Sequence, residues 1–146
     1  MSLSFMNAEN KITIKSVNLD DPRLASVIHG AIGNPSPEKV LEVIESYKNP
    51  DHTIIGAFIS DILVGVLGFC KSSEVITIHH ISVSLHYQRQ GIGTLLLEEV
   101  KKSCKGCKIM AETDVESVDF YTKSGFTCHG FNGPYGNLRH KCEINL

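Results

Sequence analysis

The sequence has neither an excess of charge of one sign nor a long hydrophobic run. Its 14 Lys and Arg residues nearly balance 16 Asp and Glu residues, for a net charge of −2. This balance disfavours a nucleic-acid partner, because proteins that bind phosphate backbones are usually basic. No apolar segment approaches the ~20 residues that span a bilayer, and the N-terminus lacks a signal-peptide pattern. We therefore expect a cytoplasmic protein with no membrane partner.

Cysteines are few and irregularly spaced. Cys70, Cys104, Cys107, Cys128 and Cys142 are an odd number, unlike the framework of a small secreted domain. The Cys104/Cys107 pair follows a helical pattern and precedes a strand, the reverse of the context of a redox motif. It also lacks a second pair with zinc-ligand spacing. We therefore expect two ordinary cysteines at a helix end and no metal site.

The remaining composition is that of an ordinary globular protein. The chain has 146 residues, of which 42% are hydrophobic and 21% charged, and it shows no internal repeat, low-complexity tract or linker. This length suits one core, since most domains hold ~100–150 residues. We predict a single domain over residues 1–146.

Hydrophobic periodicity predicts an α+β fold. Seven segments show strand patterns: 11–17, 52–60, 63–71, 75–84, 108–112, 126–131 and 138–144. Four segments show helical patterns: 20–33, 36–49, 91–105 and 113–125. The predicted apolar stripes include Leu41 in the second helix and Leu95 in the third, and Thr113 with Glu116 forms a predicted capping box at the start of the fourth. The second to fourth strands are joined by short turns and should form an antiparallel meander. The predicted order is β-α-α-β-β-β-α-β-α-β-β, with a mixed, mostly antiparallel sheet of six or seven strands and about four helices.

The segment from Ile81 to Thr94 carries the most chemical information. A strand runs through a short polar loop into a helix whose first turn contains Gly91 and Gly93. The unpaired N–H groups of such a turn bind anions, and glycine lets a phosphate approach closely. A P-loop would need a lysine before Thr94, and a dinucleotide fingerprint would need a glycine at Leu96. The alternative is a glycine-bearing turn without a ligand.

These residues resemble the GNAT superfamily of acyl-CoA-dependent N-acyltransferases. Gln88, Gly91 and Gly93 match its pyrophosphate-binding signature, Arg/Gln-x-x-Gly-x-Gly/Ala. Phe120-Tyr121, with Gly125-Phe126 at the end of the same helix, matches a second family feature. The resemblance extends from about residue 11 to the end, and it implies a GNAT-like fold and acetyl-CoA as co-substrate.

The resemblance implies a cofactor-binding set. The main chain of Ile81, Ser82 and Val83 would pair with the pantetheine arm, and the Val83 N–H would polarise the thioester carbonyl, a donor worth ~3–4 kcal/mol in acyl transfer. The pyrophosphate would be held by the amides of Gln88, Arg89, Gln90, Gly91, Ile92, Gly93 and Thr94. Lys123 is either a ribose-phosphate contact or a solvated lysine.

The resemblance also implies roles for Tyr121 and His79. Tyr121 would protonate the departing thiolate; the alternative is core packing. A base is needed because an amine arrives protonated, and Thr77 stands where some members carry a carboxylate. His79 matches a histidine of the arylalkylamine branch, and strand alternation predicts that it faces the same side as Val83 while His80 faces away. The alternative for His79 is a half-exposed strand histidine.

Asp114 departs from the family pattern, because many members have asparagine seven residues before the tyrosine. Its carboxylate would either accept from a pantetheine amide or cap the helix. The expected reaction is direct attack of a small primary amine on acetyl-CoA in a ternary complex. Two alternatives are a protein or peptide N-acetyltransferase and a non-catalytic acyl-CoA-binding module. Family habit also suggests a homodimer.

Overall fold

Seven strands form one sheet in the computed structural model, which describes residues 11–146. They are β1 (Ile12–Ser16), β2 (His52–Ile59), β3 (Ile62–Ser72), β4 (Val75–Val83), β5 (Lys108–Thr113), β6 (Thr127–Asn132) and β7 (Leu138–Asn145). Their order across the sheet is β1-β2-β3-β4-β5-β7-β6. Every neighbouring pair is antiparallel except β4 and β5. The predicted mixed sheet and its antiparallel meander are confirmed.

Four α-helices connect these strands, as predicted, although they are shorter than their sequence patterns. They are α1 (Leu24–Ile28), α2 (Pro37–Ser46), α3 (Ile92–Ser103) and α4 (Val118–Lys123). Single 3₁₀ turns occupy His29–Ala31, Leu85–Tyr87 and Val115–Ser117. No helix among the described residues is long and apolar enough to cross a bilayer.

The two faces of the sheet are covered by different helices. Leu24 and Ile28 of α1 and Val40 of α2 pack with Leu63 and Val66 on one face. The other face is covered by α3 and α4 through buried side chains: Ile92, Leu96, Leu97, Val100 and Tyr121. This division gives each face of the central strands its own core.

Two predicted core residues lie at the surface instead. Leu41 and Leu95 are exposed, and Leu97 is buried in the place expected for Leu95. Each helix turns ~100° per residue. An apolar residue beside a buried position can therefore be assigned to the buried face although its side chain is exposed. In α3 the buried stripe passes through Leu96 and Leu97, which turns Leu95 outward.

The end of α4 is determined by Gly125 and Phe126, as predicted. Gly125 has a φ of 95°, and the Phe126 N–H donates to the Tyr121 carbonyl at 3.0 Å, the pattern of a Schellman cap. The cysteines differ from prediction. The sulfur atoms of Cys104 and Cys107 are in bonding contact, and so are those of Cys128 and Cys142 on the paired strands β6 and β7.

Candidate active site

The sheet opens where the parallel strands β4 and β5 separate. The two strands pair from Val75 opposite Lys108 to Ile78 opposite Ala111. Beyond that point β4 continues to Val83 and β5 to Thr113 without pairing to each other. The edge of β4 from residue 79 onward is therefore free to pair with something other than β5.

The backbone of β4 presents amide groups to this opening. The Ser84 N–H donates to the Val64 carbonyl on the β3 side, at 2.8 Å. Because successive N–H groups of a strand point to opposite edges, the N–H groups of Ile81 and Val83 point to the opening. The Val83 carbonyl lies on the same edge and accepts a hydrogen bond from the Gln88 side chain at 3.0 Å. Gln88 thus ties the following loop to the end of the strand.

The loop before α3 has the backbone of an anion-binding turn. Arg89 and Gly91 both have positive φ, 63° and 82°, and Gly91 caps the N-terminus of α3 without a side-chain hydrogen bond. Turns of this kind direct successive N–H groups to one point, where they bind anions together with the helix terminus. A Cβ on Gly91 would meet nothing within 4 Å, so the space in front of it is open.

A cleft of about 840 Å³ runs along the β4 edge to this loop. Six of the predicted cofactor-binding residues line it: Ile81, Ser82, Val83, Gln88, Arg89 and Gly93. Lys123 lines it as well. Gln90, Gly91, Ile92 and Thr94 do not, and the Ile92 side chain is buried in the core, so only its backbone can take part in binding. Gly30 also lines the cleft, and a Cβ there would lie 2.9 Å from Ser82 Oγ.

A second cleft of about 420 Å³ adjoins the first, and both are lined by Gly30, Ile81 and Ser117. The smaller cleft is lined by the three other predicted site residues, His79, Asp114 and Tyr121. The sheet opening therefore connects a long cleft suited to a cofactor with a compact one that holds ionisable side chains.

Tyr121 is a wall of the smaller cleft. Its ring packs edge-on against Phe120 and Phe126, with centroids 5.1 and 5.2 Å away. Burial raises the pKa of its phenol to about 12, so the hydroxyl keeps its proton at neutral pH. A buried, protonated phenol at a cleft surface can act as a proton donor.

His79 corrects the predicted strand alternation. Phe69 pairs with Ile78 and Gly68 with His80, which leaves His79 as the extra residue of a β-bulge. Such a bulge re-aims side chains. His79 stays on the face of Thr77, with its ring centroid 5.5 Å from that of His52, whereas the bulge shifts the later residues, so that Val83 packs on the core beneath α3. Partial burial and the nearby His52 lower the pKa of His79.

His80 was predicted to face away from His79, and this was wrong because the bulge brings both rings to the smaller cleft, with centroids 6.4 Å apart. Tyr47 Oη lies 2.6 Å from His80 Nδ1. A Cβ on Gly68 would overlap the Tyr47 hydroxyl, so glycine is required there. Burial, followed by the neighbouring His79 and His52, lowers the pKa of His80 to about 4.

Asp114 is the helix cap, one of the two roles left open. Its Oδ1 accepts from the Ser117 N–H at 3.3 Å and its side chain borders the smaller cleft. It thereby replaces the capping box expected from Thr113 and Glu116. Sequence reasoning missed Glu112 and Arg139, which also line this cleft. Glu112 could be found by following β5 to its end, whereas Arg139 on β7 carries no local signal.

Comparison with known proteins gives one match to a family profile. Residues 31–140 match the sequence profile of a family described as the acetyltransferase (GNAT) domain, which covers well over half of the chain. No curated protein sequence matches the chain.

Solved structures share the fold over nearly the whole chain. An aminoglycoside 6'-N-acetyltransferase complexed with coenzyme A is 16% identical, with a TM-score of 0.79, covering 91% of this chain and 96% of that one. The ribosomal-protein-S18-alanine N-acetyltransferase from Escherichia coli is 19% identical, with a TM-score of 0.75 and coverages of 92% and 93%. A GNAT acetyltransferase from Elizabethkingia anophelis with acetyl-CoA bound is 21% identical, with a TM-score of 0.70 and coverages of 92% and 98%. At these identities the likeness establishes the fold.

Proposed function

The chain belongs to the GNAT acetyltransferase family, and we propose that it transfers the acetyl group of acetyl-CoA to a small primary amine by direct attack in a ternary complex. One observation carries this proposal. His79 and Tyr121, a candidate base and a candidate acid, line one compact cleft that meets the longer cleft at the open edge of β4.

The charges of the smaller cleft support a cationic acceptor. Glu112 and Asp114 contribute two carboxylates and Arg139 one positive charge. A primary amine is protonated at neutral pH, so its ammonium group is attracted to the carboxylates before reaction. The volume of about 420 Å³ suits a small molecule.

His79 would remove the ammonium proton. Because burial and His52 lower its pKa, its imidazole is neutral at pH 7 and holds a free lone pair. The deprotonated amine then attacks the thioester carbonyl carbon. The rate should fall as the pH drops and His79 becomes protonated.

Val83 and Tyr121 would act on the thioester and its leaving group. The Val83 N–H points to the open edge, where it would donate to the oxygen that becomes negative during attack, an effect of ~3–4 kcal/mol. Collapse of that intermediate breaks the C–S bond, and Tyr121 would give its proton to the departing thiolate. The attacking nitrogen would lose its second proton as the amide forms, and this proton would restore the Tyr121 phenol. The amide product carries the acetyl group and free CoA carries the thiol.

An initial-rate assay of thiol release tests this function and its alternatives. The protein is incubated with acetyl-CoA and either a panel of small primary amines or peptides with a free N-terminus. We expect turnover with small amines and intersecting double-reciprocal lines, as a ternary complex requires. Turnover with peptides alone would favour a protein acetyltransferase. Acetyl-CoA binding without turnover on either panel would favour a non-catalytic module.

A variant of Glu112 tests separately whether the smaller cleft binds the amine. Glu112→Gln keeps the shape of the side chain and removes its charge, so we expect a higher KM for the amine and an unchanged KM for acetyl-CoA. Glu99→Gln, on the exposed face of α3, is the matched control. Equal effects of the two variants on the amine KM would contradict ammonium recognition by Glu112.

A further inference from the structure

A second cluster of reactive side chains lies beside the active site. One ligand atom each from His52, Cys70 and His79 lies within 4.8 Å of the other two. Only His79 has a role in the proposed acetyl transfer. The spacing of these residues along the chain shows no metal motif, because each comes from a different strand: β2, β3 and β4.

Strand pairing brings the three side chains to one face of the sheet. His52 lies directly opposite Cys70 in the β2–β3 ladder, and opposed residues of a ladder project to the same face. His79 joins them because Thr77 lies opposite Cys70 in the β3–β4 ladder, and a residue two positions further along a strand projects to the same face. His52 and Cys70 are half-buried and His79 is exposed, so an ion could enter from solvent.

His52 is oriented as a metal ligand. Its Nδ1 lies 3.0 Å from the Ser46 carbonyl oxygen, which can only accept a hydrogen bond. Nδ1 therefore carries the proton, and the lone pair is on Nε2. Metal-binding histidines in proteins usually donate their other ring N–H to a carbonyl or carboxylate in this way.

Cys70 supplies the sulfur. The other four cysteines contact one another in two pairs, which leaves Cys70 as the free thiol of the chain. Two imidazole nitrogens and one thiolate match the ligand preference of Zn²⁺ and its neighbours. Metal–ligand distances of about 2.0–2.3 Å require donors about 3.5 Å apart in a tetrahedral site, which small side-chain rotations achieve from the present separations.

We propose that His52, Cys70 and His79 form a binding site for a zinc-class divalent cation, with a fourth position open to water, and that a bound ion withdraws His79 from acetyl transfer. The binding site stands on the geometry of the three side chains alone. The effect on catalysis rests on the proposed function, because it needs His79 to be the base.

Cobalt binding tests the site without an activity assay. Co²⁺ is titrated into the full chain, freed of metal and kept under an oxygen-free atmosphere without added reductant, and the thiolate-to-cobalt charge-transfer band is recorded. We expect this band in the parent protein and its loss in Cys70→Ser. His52→Gln should weaken binding by at least about tenfold, since even outer-shell partners of a metal are worth about 10–100-fold in affinity.

His129→Gln is the matched control, because it removes an exposed histidine of β6 and should leave the band and the affinity unchanged. Absence of a thiolate band in the parent protein would overturn the site. A band and affinity that are the same in the parent, Cys70→Ser and His52→Gln would overturn it as well.

Turnover under Zn²⁺ then tests the effect on catalysis. We expect Zn²⁺ to inhibit the parent protein and a chelator to restore it, while Cys70→Ser keeps the basal rate and resists inhibition. A protein that shows the cobalt band but never turns over would contradict the proposed function and leave the site intact. A cobalt band together with unaffected turnover in Zn²⁺ would overturn the coupling to His79.

Discussion

The two clefts of this active site are built from different parts of the polypeptide. The larger cleft, where we propose that acetyl-CoA binds, offers mainly backbone groups: the amides of the β4 edge, the positive-φ turn at Arg89 and Gly91, and the N-terminus of α3. The smaller cleft, where we propose that the amine binds, is lined by side chains from elements far apart in the chain, such as His79 on β4 and Arg139 on β7. A backbone site leaves its mark as glycines at fixed spacing, whereas a side-chain site is assembled by the fold. The difference explains why the glycine turn could be found from its spacing, whereas Glu112 and Arg139 of the smaller cleft could not.

The largest effect is expected from Gly91→Val, which places a β-branched side chain at a φ of 82° in front of the anion-binding turn. We expect acetyl-CoA affinity to fall by at least about 100-fold, equivalent to about 2.7 kcal/mol. The measurement is the rise in melting temperature that acetyl-CoA produces.

Gly106→Val is the matched control for this change. Gly106 has a φ of 81° and, like Gly91, open space where a Cβ would stand, but it lies in the turn between α3 and β5. Both variants carry the same backbone strain of about 1–2 kcal/mol. If acetyl-CoA stabilised both variants equally, residues 88–94 would be only a turn.

The next largest effect is expected on kcat from a change at Tyr121, which lines the smaller cleft. Tyr121→Phe keeps the aromatic packing and removes the proton donor, so we expect kcat to fall by about 10²-fold, the lower end of what a general acid supplies, while acetyl-CoA affinity stays the same. Steady-state kinetics and calorimetry measure the two quantities. Tyr135→Phe, at an almost fully exposed tyrosine, should change neither. An unchanged kcat in Tyr121→Phe would remove the hydroxyl from the mechanism and leave core packing as its role.

A smaller effect is expected on the free energy of unfolding when the contact between Tyr47 and His80, beside the smaller cleft, is broken. Gly68→Ala drives a methyl group into the Tyr47 hydroxyl and separates it from His80, which should cost about 1–3 kcal/mol of unfolding free energy. Urea denaturation measures the loss. Gly33→Ala, where the added Cβ meets nothing within 4 Å, should stay within about 0.5 kcal/mol of the parent. Equal midpoints for the two variants would show that Gly68 does not support the Tyr47–His80 contact.

The smallest effect concerns acid stability. The folded protein holds the pKa of His80 at about 4, below its ordinary value of 6.5, so the unfolded chain binds more protons between these values. The stability that neutral His80 contributes is therefore complete above pH 6.5 and is lost as the pH falls toward 4. We expect His80→Asn to reduce this dependence, measured as urea midpoints at pH 7 and pH 4.5. An identical pH dependence in the variant would contradict the role of His80.

The sequence predicted the fold and the glycine turn before α3 because both depend on local patterns. Alternation in the first strand and β-branched, apolar-rich runs between turns in the next three indicated strands, Ser36 and Gly125 marked helix ends, and Gly91 marked the turn. That His79 and Val83 lie on opposite faces of β4 could not be predicted, because the bulge between them depends on how β3 and β4 pair near Gly68. The Tyr47–His80 contact likewise joins the end of α2 to β4, and it requires the space left by Gly68 on β3. Such arrangements follow from tertiary packing and leave no periodic signal.

The central claim is that the β4 edge and the Gly91 turn bind acetyl-CoA, and calorimetric titration of the purified protein tests it most directly. We expect saturable binding of acetyl-CoA at a single site and no heat of binding with NADH, which carries a pyrophosphate but no pantetheine arm to pair with β4. No binding of acetyl-CoA at about millimolar concentration, an affinity weaker than about −4 kcal/mol, would contradict the claim.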